Sequence, residues 1–332
     1  MKVQFFFKDQ AYNYAITNLY MELLQQDIEL ITFFGSEPPK KEDILHDTDL
    51  VLIHPDLVMD WLLDSKIPVA IVSDVDGGWI SPHVHLLPRV QGCIESYAYL
   101  PRALHREPHF YYTMARMREA GYVGELKQDH FNPQELSDKD LEKIHVFCGF
   151  GSWERMWSLK EWAPDAKTID WKHVPPVSIN FVGTVEYCKT EIEDHRRRAV
   201  DICNTNKGLG VPGRKFITWR YWETLKKSRI CLSPWGWGEA CHRDFEALML
   251  GTVLVKPDWS FVESYPDISS SNAPYIPCKL DFSDVPEIVK NVEDNWEAYE
   301  NMRRRGRRLA EDALDVRLNA IKLGEIFHKI LG

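Results

Sequence analysis

Three charged side chains follow one another at helical spacing in the second half of the chain. Glu239, Arg243 and Glu246 stand at positions i, i+4 and i+7, so a helix that begins at Glu239 would carry all three on one face. Arginine can bind a phosphate through two parallel hydrogen bonds, and a carboxylate can accept hydrogen bonds from both hydroxyls of a ribose. This face therefore suits a ligand with phosphate and hydroxyl groups. The alternative is an exposed Glu–Arg pair worth roughly a few tenths of a kcal/mol.

The sequence around these side chains predicts a strand, a glycine loop, a helix and a second strand. Residues 229–232 form a short apolar run, and residues 252–255 are mostly β-branched. Gly236 and Gly238 allow the backbone of the intervening loop to approach a ligand closely. Gly251 is a typical helix stop. In such a βαβ unit the N-terminus of the helix is a place where phosphates bind.

Two segments of the second half carry a family resemblance. Residues 233–258 read SPWGWGEACHRDFEALMLGTVLVKPD, and residues 177–184 read VSINFVGT and are followed by the pair His195-Arg196. The first follows the pattern sP.G.ge..R.fEa...G..lv.p, and the second follows F.Gt…HR. Both resemble the nucleotide-sugar-binding domain of glycosyltransferases of the GT-B fold, particularly the exostosin-like group and related bacterial and viral enzymes.

The resemblance implies that the donor is a nucleoside-diphosphate sugar, a UDP- or GDP-sugar. It implies that Arg243 holds the diphosphate and that Glu246 holds the ribose hydroxyls. Gly183 and Thr184 would assist, although Gly183 could also be a plain strand-ending glycine. The remaining positions that we assign to donor binding are Arg196, Ser233, Trp237, Gly238 and Phe245. For Arg196 the alternative is an ordinary surface residue.

Residues 237–239 would face the sugar or the β-phosphate of the donor, which makes Glu239 a candidate catalytic residue. Charge on the departing diphosphate would be stabilised by arginine and by amides at a helix N-terminus, so we expect no metal ion and no cofactor to be required. The paired glutamates of retaining enzymes with this fold are eight positions apart, whereas Glu239 and Glu246 are seven apart. Inversion and retention at the anomeric carbon both stay open.

In the N-terminal half, acidic and histidine side chains follow a predicted strand. Asp74-Val75-Asp76 is the pattern that holds a divalent metal in glycosyltransferases of the GT-A fold, but it also suits a turn. An inverting transferase needs a base near pH 7 at the acceptor hydroxyl, and Asp76 and then His83 are our candidates. A metal-dependent transferase that uses Asp74 and Asp76 is an alternative.

Length and composition narrow the class of protein. A chain of 332 residues suggests two domains, and 44% hydrophobic residues are ample for buried cores. The net charge of −10 argues against nucleic-acid binding. Seven cysteines without a CxxC pair favour a reducing compartment. Because no apolar run approaches the ~20 residues that span a membrane, we expect a soluble, cytoplasmic protein without a transmembrane segment.

The order of strands and helices predicts an α/β fold with two Rossmann-like domains facing a central cleft. Predicted strands alternate with helices in the first half, at residues 2–7, 28–34, 49–54, 67–72, 92–99 and 144–148. Residues 163–176 are rich in proline and lack periodicity, which is typical of a linker. We assign residues 1–170 to an acceptor-binding domain and residues 176–314 to a nucleotide-sugar-binding domain. The resemblance implies that the last helix, residues 315–332, crosses back to the first domain.

Two further patterns have competing interpretations. Residues 208–213, GLGVPG, match the dinucleotide fingerprint literally, but no strand precedes them, and we interpret them as a loop. The basic run from Arg303 to Arg308 lies among acidic residues, so we expect solvated helical faces. The alternative is a basic patch in peripheral contact with an anionic membrane.

We therefore predict a glycosyltransferase that moves a sugar from a nucleotide sugar to a glycan or to another hydroxyl acceptor. The alternative from another class is a protein that binds a nucleotide sugar without chemistry. It would keep Arg243 and Glu246 and would show no turnover.

Overall fold

A computed structural model describes most of the chain. The described residues are 1–7, 19, 21–73, 82–95, 97–99, 116–124, 136–147, 153–187, 189–213, 218–236, 239, 241–268 and 274–332. For residues 73, 82–85, 97, 99, 153 and 154 only the backbone is described.

The first half of the chain forms a parallel sheet of six strands in the order β2-β1-β3-β4-β5-β7. Its strands are β1 Lys2–Phe7, β2 Glu29–Phe34, β3 Leu50–Ile53, β4 Val69–Ser73, β5 Gly92–Glu95 and β7 Ile144–Val146. These strands consist mainly of Val, Ile, Leu and Phe and are largely buried, as expected for a sheet covered on both faces. The predicted strand positions are confirmed with ends shifted by at most two residues, apart from the strand predicted at residues 92–99.

The second half forms a parallel sheet of five strands in the order β13-β11-β10-β8-β9. Its strands are β8 Val177–Gly183, β9 Leu209–Pro212, β10 Ser228–Leu232, β11 Val253–Pro257 and β13 Tyr275–Cys278. The chain is thus an α/β protein with two parallel sheets. The division into domains at residues 170 and 176 stays a prediction.

Helices connect and cover the strands. The described helices are α1 Asp60–Leu63, α2 Asp138–Leu141, α3 Trp153–Trp162, α4 Glu191–Thr205, α5 Thr218–Lys226, α6 His242–Met249, α7 Val285–Asp294, α8 Glu300–Asp312 and α9 Val316–Leu331. Residues 21–24 and 116–119 are also helical. Among the residues that the structure describes, no helix combines the length and the apolar character that a bilayer crossing requires.

The last helix packs against the first sheet. Leu323, Ile326 and Phe327 of α9 belong to the same apolar core as Val3 and Phe5 of β1. The contact is close at Gly92, where an added Cβ would lie 2.6 Å from a side-chain atom of Ile330. The return of the chain to the first sheet is therefore as expected, and the helix begins one residue after the predicted start at residue 315. The Asp315 carboxylate caps α9 by accepting a hydrogen bond from the amide of Leu318 (2.9 Å).

A short antiparallel pair joins the two halves. The single strand predicted at residues 92–99 is in fact two strands, because β6 (Tyr97–Tyr99) leaves the first sheet and pairs with β12 (Val262–Ser264). β12 follows β11 of the second sheet in the chain. This pair therefore ties a loop of the first half to a loop of the second half.

The loop interpretation of residues 208–213 was wrong, since Leu209–Pro212 is the edge strand β9. Its glycines allow close packing: an added Cβ at Gly208 or Gly210 would collide with the backbone of Ile179 or Val200. Pro212 is tolerated because an edge strand leaves one side of its backbone unpaired.

The prediction of solvated faces for the basic run was wrong for two of its arginines. Arg303 and Arg307 are 5% and 4% exposed. Arg303 donates to the carbonyl of Trp171 (2.7 Å) and stacks on Trp296, with 3.9 Å between its Cζ and the ring centroid. Arg307 donates to the carbonyl of Pro164 (3.1 Å). The predicted linker is thus fixed to α8 by buried guanidinium groups.

Candidate functional site

The candidate site lies where the second sheet changes its direction of winding. After β8 the chain passes through α4 to β9 on one side, and after β10 it passes through α6 to β11 on the other side. Because β8 and β10 are neighbours, the loops that follow them diverge and leave a crevice between them. Ligands of open α/β sheets bind at the carboxyl ends of the strands at such a point.

Arg243 of α6 lies beside this crevice, at the carboxyl end of β8. Its side chain is largely buried, donates from Nη2 to the carbonyl of Val182 (3.2 Å), and lies over the ring of Phe181 with 4.7 Å between Cζ and the centroid. Gly183, the last residue of β8, leaves space for it, since an added Cβ would collide with Nη2. Arg243 and Gly183, both assigned to donor binding in the sequence analysis, thus lie next to each other.

The guanidinium of Arg243 has unused donors. Its Nε and Nη1 are buried and have no hydrogen-bond partner among the described residues. Burial alone would lower the pKa of Arg243, but the surrounding titratable groups, Tyr221 first among them, raise the pKa above its ordinary value. The side chain is therefore a buried cation with two unpartnered nitrogens among the described residues, which is costly unless an anion binds.

The helix that carries Arg243 begins later than predicted. Cys241 is the N-cap of α6, and its amide donates to the Asp244 carboxylate (3.1 Å). Glu239 precedes this cap and lies outside the helix, so the expected common face of Glu239, Arg243 and Glu246 was wrong. Arg243 and Glu246 are one turn apart at i and i+3. The capping interaction decides the boundary, because Asp244 stabilises the helix start by accepting the N-cap amide.

A buried ion pair that the sequence analysis missed supports the same loop. Lys256 of β11 lies 2.6 Å from Asp244, and both side chains are 0% exposed. The Lys256 ammonium also donates to the carbonyl of Glu239 (2.9 Å) and lies over the ring of Trp259 (3.9 Å to the centroid). Glu239 is itself 1% exposed. A lysine within a predicted buried strand was the available signal, because a lysine is almost never fully buried unless it is paired.

Glu246 is held by two donors on neighbouring helices. Its Oε1 accepts hydrogen bonds from the indole of Trp222 on α5 (2.8 Å) and from Nε of Arg155 on α3 (2.6 Å). The carboxylate is 1% exposed, whereas the side chain of Arg155 is 42% exposed. The orientation of Glu246 is therefore fixed by its protein contacts, which the sequence did not predict.

Arg196 joins the two loops of the crevice. It is 6% exposed and donates to the carbonyl of Trp235 (3.0 Å) in the loop after β10 and to the carbonyl of Thr184 (3.0 Å) in the loop after β8. It also lies over the ring of Tyr187. The alternative of a plain surface residue was wrong, and the described contacts of Arg196 are those of a group that positions the two loops.

His195 is buried beside Arg196 and supports the loop after β10. Its Nε2 accepts a hydrogen bond from the amide of Trp235 (3.2 Å), and its ring stacks on Phe282 (4.6 Å between centroids). Burial, followed by the charges of Arg196 and Arg198, holds the pKa of His195 well below its ordinary value. The imidazole is therefore neutral at pH 7 and acts as an acceptor.

Two of the other candidates are described, and the rest are not. Ser233 is 1% exposed, and its hydroxyl lies 3.2 Å from the sulfur of Cys241. Phe245 is partly buried and packs against the apolar core that contains Leu248. Trp237, Gly238, Asp74 and Asp76 lie outside the described residues, as does the side chain of His83.

The chain matches no family model and no curated protein. Its structure is similar to solved structures of glycosyltransferases. Sucrose-phosphate synthase from Thermosynechococcus elongatus is 10% identical, with 99% of this chain and 98% of that chain covered and a TM-score of 0.48. A glycosyltransferase from Rickettsia africae ESF-5 is 9% identical, with 99% and 98% covered and a TM-score of 0.49. An alpha1,3-fucosyltransferase is 14% identical, with 100% and 90% covered and a TM-score of 0.45. At these TM-scores the likeness assigns no activity to the chain.

Proposed function

We propose that the protein is a glycosyltransferase that moves a sugar from a nucleoside-diphosphate sugar to a hydroxyl acceptor. The observation that carries the proposal is Arg243, a buried guanidinium with two unpartnered nitrogens beside Gly183 at the point where the sheet changes direction. A diphosphate bound there would supply both the missing negative charge and the missing acceptors. A UDP- or GDP-sugar is the donor that we propose.

Glu246 lies one turn after Arg243 on α6 and would hold the ribose. Its Oε1 is oriented by Trp222 and Arg155, and in the proposal its Oε2 accepts hydrogen bonds from the ribose hydroxyls. Arg155 is the more exposed of the two partners and would shield this carboxylate from the diphosphate. Arg243 and Glu246 are separated by about one helical turn, so one could bind the phosphate and the other the ribose of the same nucleotide.

In the proposed reaction the acceptor oxygen attacks the anomeric carbon of the donor. The bond from that carbon to the β-phosphate oxygen breaks, and its electron pair passes to the diphosphate, where Arg243 stabilises the charge. The proton of the acceptor hydroxyl passes to a base, for which Asp76 and His83 stay our candidates. Residues 237–239 would lie next to the transferred sugar, without a requirement for a metal ion. A glycan acceptor and a cytoplasmic location also belong to this proposal.

Nucleotide binding tests the proposal directly. Titration calorimetry with UDP, GDP, ADP and their sugar conjugates should show binding of at least one nucleotide by the unaltered protein. Arg243→Gln should weaken that binding by about tenfold or more, because a charged hydrogen bond is lost in a buried site. Arg220→Gln, which changes an exposed arginine on α5, is the matched control and should bind as the unaltered protein does.

Three outcomes would contradict parts of the proposal. Absence of binding to every nucleotide, or equal affinity of Arg243→Gln and its control, would overturn the donor site. Binding without hydrolysis or transfer of any donor sugar would favour the non-catalytic alternative. Loss of turnover with EDTA would favour a metal-dependent enzyme that uses Asp74 and Asp76.

A further inference from the structure

A second concave site lies at the carboxyl ends of β11 and β13. A cavity of about 320 Å³ opens there, next to the loop that follows β10. Pro257, the last residue of β11, and Cys278, the last residue of β13, both line it. The volume is near the lower end of the range for small-molecule pockets, about 300–1,000 Å³. The cavity therefore suits one small ring system better than a whole nucleotide sugar.

One wall of this cavity comes from the first half of the chain. Arg116 lines it, with its Cζ 4.6 Å from the ring centroid of Phe261 and 5.5 Å from that of Trp235. The segment 116–124 is fastened to the second half by the ion pair of Arg118 with Glu191 and by a hydrogen bond from the hydroxyl of Tyr122 to the carbonyl of Leu280 (2.7 Å). The cavity thus lies between the two halves, a preferred location for ligand sites.

The lining combines a buried indole N–H with fixed carboxylates. Trp235 is 1% exposed, and its indole Nε1 is buried without a hydrogen-bond partner among the described residues. Asp258 accepts hydrogen bonds from the amide and the hydroxyl of Ser260, and Asp284 accepts from the amide of Lys279, so both carboxylates are held in place. Trp235, Asp258 and Asp284 all line the cavity.

These groups match the chemistry of a sugar ring. The hydroxyls of a sugar donate to carboxylates and accept from N–H groups. Two carboxylates disfavour a second diphosphate in the same cavity. The crevice that holds Arg243 and this cavity flank the loop after β10, so a ligand could extend from one to the other.

We propose that the cavity between Arg116 and Trp235 binds a sugar ring, in which the indole N–H of Trp235 donates to a ring substituent. The inference rests on the proposed function for the identity of the ligand. The ring is either the glycosyl group of the donor or a sugar of the acceptor, since both offer the same hydroxyls.

Two variants remove the cavity groups, and each has a matched control. Trp235→Phe removes the indole N–H, and Arg116→Gln removes the guanidinium. Trp219→Phe alters a tryptophan of α5 that is 48% exposed. Arg304→Gln alters an exposed arginine of α8 whose guanidinium lies over the ring of Trp171. Calorimetry would compare UDP, GDP, UDP-glucose, UDP-N-acetylglucosamine, GDP-mannose and a panel of methyl glycosides.

If the cavity holds the donor sugar, both cavity variants should weaken binding of the nucleotide sugar by about tenfold and leave UDP or GDP affinity unchanged. If it holds an acceptor sugar, the same loss should be seen with the methyl glycosides alone. The inference is overturned if both cavity variants bind all probes as their controls do, or if the unaltered protein binds neither sugar conjugates nor glycosides. Binding of glycosides without any nucleotide would overturn the proposed donor site and leave the cavity as a sugar site.

Discussion

The guanidinium of Arg243 occupies the space that a side chain on Gly183 would need. Gly183→Ala should therefore displace the guanidinium from its place beside the carbonyl of Val182 and weaken nucleotide binding by about tenfold, with a smaller effect on stability because the colliding atom is the end of a flexible side chain. Calorimetry with the bound nucleotide measures the change.

Gly35→Ala is the matched control, because an added Cβ there would meet its nearest atom at 4.0 Å, an ordinary contact. Nucleotide affinity of Gly183→Ala equal to that of this control would show that the position of Arg243 does not decide binding.

Lys256 and Asp244 should stabilise the fold only when both charges are present, because either charge alone would be buried without its partner. Lys256→Met leaves the Asp244 carboxylate buried without its cation, so we expect the free energy of unfolding to fall by about 3–5 kcal/mol. The double variant Lys256→Met with Asp244→Leu removes both charges and should recover part of this loss. Urea unfolding followed by tryptophan fluorescence measures both. A double variant that loses the sum of the two single effects would contradict the coupling.

The strands and the start of α9 were predictable because their signals are local. Apolar runs such as residues 50–53 and 253–255 can only be buried, and Gly251 and Asp315 end or begin helices through their own backbone or side chain. The family resemblance, and not a local signal, assigned both Arg243 and Gly183 to donor binding.

The predictions that were wrong concern side chains whose position depends on residues distant in the sequence. Glu239 lies outside α6 because Asp244 caps the helix at Cys241, and Lys256, which pairs with Asp244, comes from another strand. Arg303 and Arg307 turn inward because carbonyls of the linker accept their hydrogen bonds. No pattern within the basic run contains this information.

Arg307 should contribute to stability, whereas its neighbour Arg305 should not. Arg307 donates to the carbonyls of Met249 and Pro164 and pairs with Glu311 (2.7 Å). Arg307→Gln leaves these acceptors without a charged donor, and we expect the free energy of unfolding to fall by about 2–4 kcal/mol. Arg305 is exposed on the same helix, so Arg305→Gln should stay within about 0.5 kcal/mol of the unaltered protein. Equal urea midpoints for the two variants would show that the linker is not held in this way.

The buried His195 should make stability depend on pH below neutrality. Its pKa in the folded protein is held well below the ordinary value, chiefly by burial, whereas in the unfolded chain it titrates near ~6.5. Below that pH the unfolded state binds a proton that the folded state does not, so the free energy of unfolding should fall by up to about 1.4 kcal/mol per pH unit as the pH decreases. Above pH 6.5 this contribution is constant.

His195→Gln keeps an acceptor for the amide of Trp235 but cannot bind the proton, so it should flatten the slope of stability against pH between about 5 and 6.5. His328→Gln changes an exposed histidine on α9 and is the control, which should leave that slope in place. Urea unfolding at several pH values measures the slopes. Since a protonated imidazole has no acceptor for the Trp235 amide, nucleotide affinity of the unaltered protein should fall together with its stability. A slope in His195→Gln equal to that of the control would show that this histidine binds its proton equally well in the folded and unfolded states.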